Sequence, residues 1–216
     1  MPARKTTTVK NPTPKTEVKV NLKPIEVKKM HIRIEGIGPY VQHRWDEKNR
    51  KAIRDKKTGD APRRIREKCV PEQECEAATY RSADGRYGIP VTSIKKAMMN
   101  AAHKDYGIPR TLIARSVFFE AEEGVLIPLD TTGHKMREDV VRVGNSQADL
   151  RYRPSFEKWG ADLLIEYNTR YVTPEIIVNL LEEAGHGIGV GEGRPEKQSG
   201  LDWGRFRVKT HKEIKR

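Results

Sequence analysis

Polar and apolar residues alternate with period two over Val27–Glu35 (VKKMHIRIE), setting Met30, Ile32 and Ile34 on one side and Lys29, His31, Arg33 and Glu35 on the other. Such alternation predicts a half-buried strand with a largely basic open face. From Gly36 to about Glu76 the chain is polar, with a short helix around Trp45–Lys56 and no buried pattern; a connection this long is usually functional. Ala77–Ile89 reads as a hairpin turning at Asp84-Gly85. Gly88–Lys104 then carries one apolar stripe at helical spacing (Ile94, Ala97, Met98, Ala101, Ala102), with Thr92 or Ser93 available as cap. Thr111–Glu120 is apolar on both faces and predicts a central strand; Val125–Leu129 and Lys135–Val143 predict further strands around the turn DTTGH. Alternation returns at Ala161–Tyr167, with Asp162 and Glu166 on the polar side. Thr173-Pro174-Glu175 supplies cap, first-turn proline and first-turn acid for a helix that buries Ile176, Ile177, Leu180, Leu181 and Ala184 and ends at Gly185. Trp203–Thr210 closes the pattern, with Phe206 and Val208 inward and Arg205, Arg207 and Lys209 outward.

With the insertion and extra strands set aside, the order is βαββαβ, an α+β ferredoxin-like (RRM-like) core with a long insertion after the first strand and an additional β-hairpin region. Residues 25–210 form one domain with the insertion at 36–76; a basic arm with four prolines (1–24) precedes it and a basic tail (211–216) follows. In this topology the first and last strands are neighbours, which places Lys29, His31 and Arg33 beside Arg205, Arg207 and Lys209 on one open face. Like charges facing across a sheet destabilise it. Acids on the adjacent strand or an anionic ligand must compensate; two acids, Asp162 and Glu166, do not cover six basic groups, which favours a ligand.

The formal charge is +12, with charged residues at 33% and hydrophobic ones at 36%. Its distribution is uneven: residues 1–24 carry six Lys/Arg against one acid, 43–68 eleven against five, and 205–216 six against one. Concentrated positive charge is what a polyanion-binding protein requires, although solvated basic tails would also produce it. No segment reaches the roughly 20 apolar residues that span a bilayer, and none has the length of a signal peptide, so the expectation is a cytoplasmic protein without membrane contact. Cys69 and Cys75 lack the paired spacing of a zinc site and read as reduced thiols. No metal or other cofactor is expected.

The stretch GIGVGEGRPEKQSGLDWGRFRV (Gly187–Val208) holds six glycines and runs from a helix into a strand. Walker A and dinucleotide fingerprints need GxxxxGK[ST], or GxGxxG leading from strand to helix, and neither is present. AGHGIGVGEGRPEKQSGLDWGRFRV instead resembles the glycine-rich loop of the RAMP proteins, the RNA-binding subunits of CRISPR effector complexes. IPVTSIKKAMMNAA is similar to the opening of their first helix through Ile89, Pro90, Ser93, Ile94 and Lys95, with Val91 where that family usually has glycine. The resemblance extends over residues 25–210 in topology but rests on these two motifs. It implies a diverged relative, such as a phage-encoded or mobile-element protein, with phosphate contacts at Ser93 and Lys95, close backbone approach at Gly189 and Gly191, and charge from Arg194 and Lys197. For Ser93 a plain helix cap is the competing role.

Two aromatic–basic mixtures suit stacking against unpaired bases: PYVQHRW with Arg44 and Trp45, and LRYRPSFEKW with Arg151 and Arg153. Core anchoring is the competing role, and the stronger one for Phe156 and Trp159. The function these features favour is non-catalytic binding of single-stranded RNA or DNA, with copies assembling side by side as a homo-oligomer or filament. A metal-independent endoribonuclease using His43 or His31, and a virion interaction protein with a basic arm, are the alternatives. Dispersed aspartates, without a DxD, argue against metal-dependent cleavage.

Overall fold

In the computed structural model of the chain, residues 24–45, 47–59, 68–143, 147–198 and 200–214 are described; the expected basic arm up to Lys23, most of the APRRIREK run and the last two tail residues lie outside them. Strand β1 (Val27–Gly36) is followed by β2 (Tyr40–Val41), α1 (Glu47–Thr58), α2 (Pro71–Ala77), β3 (Gly88–Pro90), α3 (Val91–Tyr106), α4 (Arg110–Ser116) and β4 (Val117–Glu120). The second half contains β5 (Leu126–Pro128), β6 (Asp130–Thr131), β7 (Lys135–Val143), β8 (Gln147–Phe156), β9 (Trp159–Asn168), α5 (Pro174–Glu183) and β10 (Phe206–Ile214).

The architecture is mixed α+β with antiparallel sheets. The main sheet runs β10-β1-β9-β4, with β6 also paired to β9. First and last strands are adjacent, and β10 continues past Thr210 to pair Ile214 with Lys29. Met30, Ile32 and Ile34 from β1 and Ala161, Leu163, Ile165 and Tyr167 from β9 all point to one side. There they meet Ile94, Ala97, Met98 and Ala101 of α3 and Ile177, Leu180 and Leu181 of α5. One sheet face is therefore roofed by helices, and the period-two side chains of the other stay open. Full burial of such side chains contributes about 1.5–3 kcal/mol each, which makes this layer the stabilising centre. A smaller sheet, β2-β8-β7, and the β3–β5 pair flank it.

Several expectations are corrected. Thr111–Ser116 is helical, not a central strand: α4 starts after Pro109 and buries Ile113 and Ser116, and only Val117–Glu120 continues as an edge strand. A short apolar run satisfies a buried helix as well as a buried strand, which is why the pattern misled. α3 begins at Val91 without a side-chain cap from Thr92 or Ser93; the Val91 N–H instead donates to Val125 O at 2.9 Å. The hairpin at Ala77–Ile89 contracts to a single bridge, Arg81 to Tyr87, because α2 takes up Ala77. Thr173 caps α5 as expected, but Ile176 is exposed and a π-turn, Ala184–Ile188, prolongs the helix beyond Gly185.

The polar insertion does contain buried residues. Tyr40 and Val41 are in the core, with Tyr40 against Phe156 and Trp159 at ring separations of 6.0 and 5.2 Å. Trp159 also donates from Nε1 to Gly38 O at 2.8 Å, so both Phe156 and Trp159 are core anchors. Buried Gln42 donates to Gly88 O at 2.9 Å and accepts from Tyr80 N at 2.8 Å, clamping the insertion to the body. By contrast α1 is solvent-exposed over Arg50–Thr58 except for Asp55.

Gly204 has φ of +66°, and a Cβ there would lie 1.7 Å from Val190 O. Gly204→Ala is expected to cost about 3 kcal/mol or more in denaturant unfolding, from left-handed strain plus a backbone clash. Gly85→Ala, at φ +84° in open space, should cost only about 1–2 kcal/mol. Equal losses would contradict the packing described.

Candidate functional site

The glycine-rich loop folds back on its own chain. Glu192 N donates to Val41 O at 2.9 Å, Gly204 N to Pro39 O at 2.7 Å and Val190 N to Gly204 O at 3.0 Å, so the loop is stitched to the root of the insertion. Gly191, at φ +77°, sits where a Cβ would be 2.4 Å from Val41 O. The close approach that its glycine permits is thus to β2 of the same chain. Glu196 fastens the other side of the loop to α3: its carboxylate accepts from Asn100 Nδ2 at 2.7 Å, Lys104 Nζ at 3.2 Å and Arg194 Nε at 3.2 Å.

Between loop, insertion root and the start of α3 lies a cleft of about 230 Å³. It gathers Ser93, Gly189, Gly191 and Arg194 from the two sequence motifs, and His43 from the insertion. Lys96, Asn100 and Glu192 also line it, none of them singled out by the sequence. Asn100 lies on the stripe-free side of α3 and the two loop acids sit within a basic context, so no pattern marked them. Arg44 and Trp45 follow His43 directly and are exposed, Trp45 at 57%. The segment is held by Arg44 N donating to Ala78 O at 2.9 Å.

Other predicted residues point elsewhere. Lys95 donates to Ala114 O at 2.9 Å and lies 4.7 Å from the Phe118 ring centroid, and burial lowers its pKa. It therefore braces α3 against α4 and β4, and its neighbour Lys96 takes the place at the cleft expected for it. Arg194 donates to Gly191 O at 2.9 Å as well as to Glu196, and Lys197 to Glu192 at 2.8 Å, so both charges are spent on shaping the loop. Arg151 pairs with Asp149 at 2.6 Å, and the largely buried Arg153 with Asp139 at 3.5 Å.

Five of the six basic residues predicted for the sheet face have an acidic partner within the chain. His31 Nε2 lies 3.0 Å from Asp162, and Arg33 bridges Asp162 at 2.8 Å and Asp130 at 2.5 Å. Lys29 pairs with Glu120; Glu35 takes Lys209 at 2.5 Å and Arg207 at 3.8 Å; Arg205 meets His186 Nδ1 at 3.2 Å. Lys209 holds the Glu35 carboxyl below the usual carboxylate range. The expectation that acids fall short on this face is corrected. β4 and β6 flank β9 and bring Glu120 and Asp130 into reach, and Glu35 serves two cations from β1 itself. Exposed pairs of this kind contribute only about 0–1 kcal/mol each, but they relieve the like-charge repulsion that argued for a ligand.

At the cleft, His43 is half-buried, and its Nδ1 is buried without a hydrogen-bond partner. Burial, then the charge of Arg153, presses its pKa below the usual imidazole range, with Glu192 pulling the other way. Burial also acts to raise the Glu192 pKa, but the hydrogen bond and charge of Lys197 outweigh it and keep the carboxylate ionised. The cleft therefore presents a neutral imidazole, a hydroxyl and the Lys96 ammonium beside the Glu192 and Glu196 carboxylates, which Lys197, Lys104 and Arg194 engage, a set suited to hydrogen bonding with a polar ligand. Among the described residues, no group of three or more His, Cys, Asp or Glu is placed to hold a metal ion, and no helix is long and apolar enough to cross a membrane.

Because the folded pKa of His43 lies below its unfolded value of about 6.5, the unfolded chain takes up the proton first. The associated stability is complete above that value and is lost as pH falls through the folded pKa. Denaturant unfolding is thus expected to show stability declining as pH falls below about 6.5, and His43→Gln to flatten the decline, with His134, also lowered by burial, still contributing. An identical pH slope in the variant would contradict a neutral buried His43.

No protein-family model and no curated protein matches the chain. Among solved structures, it is similar to a chain of the type III-B Cmr-beta complex bound to cognate target RNA, at 10% identity and TM-score 0.49 over 88% of this chain and 61% of that one. It is also similar to Cmr6 from Pyrococcus furiosus, at 10% identity and TM-score 0.40 over 85% of this chain and 99% of that one. The chain therefore spans less than two thirds of the length of the first of these.

Proposed function

We propose that the chain is a ferredoxin-like, RAMP-type protein that binds a single strand of RNA or DNA without cleaving it. In this reading the cytoplasm is its place of action, and copies assemble side by side along the strand. The observation that carries the reading is the convergence of two motifs and the insertion on one cleft: Ser93 opens α3, Gly189 and Gly191 form the loop, and His43 leads into Arg44 and Trp45. A 16-residue helix offers the free amides and positive dipole end of its first turn beside Ser93, which favours a phosphate there. Exposed Trp45 supplies a stacking face, and Arg44, Lys96 and helix α1 supply charge around it. The paired sheet-face residues, Lys29 to Lys209, have a stabilising role instead.

Fluorescence anisotropy with labelled single-stranded RNA, single-stranded DNA and duplex across a salt series tests this. Tighter binding of a single strand with a steep salt slope is expected. Arg44→Ala/Lys96→Ala should lower the slope by about 2, one per lost phosphate contact, whereas Lys29→Gln/Lys209→Gln should leave it nearly unchanged. The reverse ranking of the two double variants contradicts the cleft as the site.

The neutral imidazole of His43 in the lining of the cleft favours a second use of the same cleft, as a general base in metal-free RNA cleavage. Shortened RNA on a denaturing gel, abolished by His43→Gln with binding retained, would establish that use; intact RNA after prolonged incubation excludes it.

A further inference from the structure

On the far side of the aromatic cluster from the first cleft, Phe156 packs on Tyr87 and His134 at ring separations of 5.1 and 5.6 Å. His134 opens onto a second cleft of about 430 Å³, between the turn Thr132–Lys135 and the segment Ser155–Lys158. The walls are fixed. Thr131 Oγ donates to Lys158 O at 2.9 Å and lies 3.1 Å from Gly133 O, and Ser155 Oγ donates to Glu157 at 3.3 Å.

Behind the cleft runs a chain of hydrogen bonds that sets the protonation of the imidazole. Glu76 binds the Arg81 guanidinium through both carboxylate oxygens, at 2.5 and 3.2 Å. Arg81 Nη2 donates to Tyr87 Oη at 3.2 Å, and Tyr87 Oη lies 3.2 Å from His134 Nδ1. A guanidinium only donates, so the tyrosine oxygen accepts there and its single proton is free to be donated to the histidine. Nδ1 is then the acceptor, and the neutral ring carries its proton on Nε2. Tyr87 does not line the cleft and His134 does, so the edge opposite the tyrosine is the one presented. Burial lowers the pKa of His134 and keeps the ring neutral, with Glu76 opposing and Arg81 reinforcing.

The charged groups facing this space are Lys135, Lys158 and Glu157. Both lysines are exposed, and among the described residues neither has an ion-pair partner, while Glu157 is engaged by Ser155. An Nε2–H donor flanked by two ammonium groups is matched by a ligand rich in anionic oxygens. The volume exceeds what a bare oxyanion fills. We propose that this second cleft binds a phosphate group, with His134 Nε2–H, Lys135 and Lys158 as donors and the Glu76–Arg81–Tyr87 relay as the device that fixes the donor. The proposal does not depend on the function proposed for the first cleft. A terminal phosphate, an internal phosphodiester and a free mononucleotide share this chemistry.

The test is long-range 1H–15N correlation NMR on the full-length protein with labelled histidine, titrated with inorganic phosphate, a mononucleotide, and matched oligonucleotides with 5′-phosphate or 5′-hydroxyl ends. His134 is expected as the Nε2–H tautomer, moving on phosphate addition. Lys135→Gln/Lys158→Gln should weaken the response by about tenfold or more, as loss of charged hydrogen bonds implies. Tyr87→Phe keeps the ring packing and should mix the tautomers and weaken phosphate about threefold. Dependence on the 5′-phosphate assigns the site to strand ends, equal response to both oligonucleotides assigns it to internal phosphodiesters, and preference for the mononucleotide assigns it to free nucleotide. An Nδ1–H tautomer in the unaltered protein, a response unaffected by the double lysine variant, or no response to any probe overturns the proposal.

Discussion

The glycine-rich loop is held where it is by main-chain hydrogen bonds to the segment Pro39–Val41, and the candidate site follows from that one attachment. Glu192 N to Val41 O and Gly204 N to Pro39 O join the end of the chain to the root of the insertion near its beginning. Glycine is required because a Cβ would obstruct the backbone approach, at Gly191 to Val41 O of the insertion root and at Gly204 to Val190 O within the loop. Once the loop is docked, Glu196 reaches α3, and the three segments enclose a cleft that none could form alone. Backbone attachment also frees the outer side chains, so Arg44, Trp45 and Lys96 can face solvent without a structural duty.

Charge is organised in two ways. On the main sheet, cations and acids from neighbouring strands settle each other, and the face is a lattice of exposed pairs. Along the insertion, cations outnumber acids, and α1 exposes most of its length while burying little. The same formal excess of +12 is thus spread unevenly between a paired sheet face and an insertion in which cations outnumber acids. A region where cations exceed acids is the one that favours a polyanion, since each phosphate contact there releases counterions.

The period-two strands β1 and β9, the capped helix α5 and the pairing of first and last strands were legible because each follows from local spacing plus one topological rule. Residues 111–116 were misread because helix and strand bury a short apolar run equally well, and the arbiter, Pro109, lay outside the window. Tyr40 and Val41 escaped notice because two buried residues make no period, and their partners Phe156 and Ser155 lie far along the chain. For the cleft, the motifs carried Ser93, Gly189, Gly191 and Arg194, and the aromatic–basic context carried His43. Glu192, Glu196 and Asn100 were illegible: their roles come from contacts between separate segments. Counting acids on one neighbouring strand also missed Glu120 and Asp130, which reach the face from β4 and β6, paired with the edge of β9 away from β1.

Ultraviolet crosslinking of the bound single strand followed by peptide mass spectrometry tests the central claim most directly. Crosslinks should fall in Tyr40–Trp45, at the opening of α3 and in Gly189–Lys197. Crosslinks confined to the open sheet face or to residues 1–23, with the cleft segments unmodified, would contradict the account.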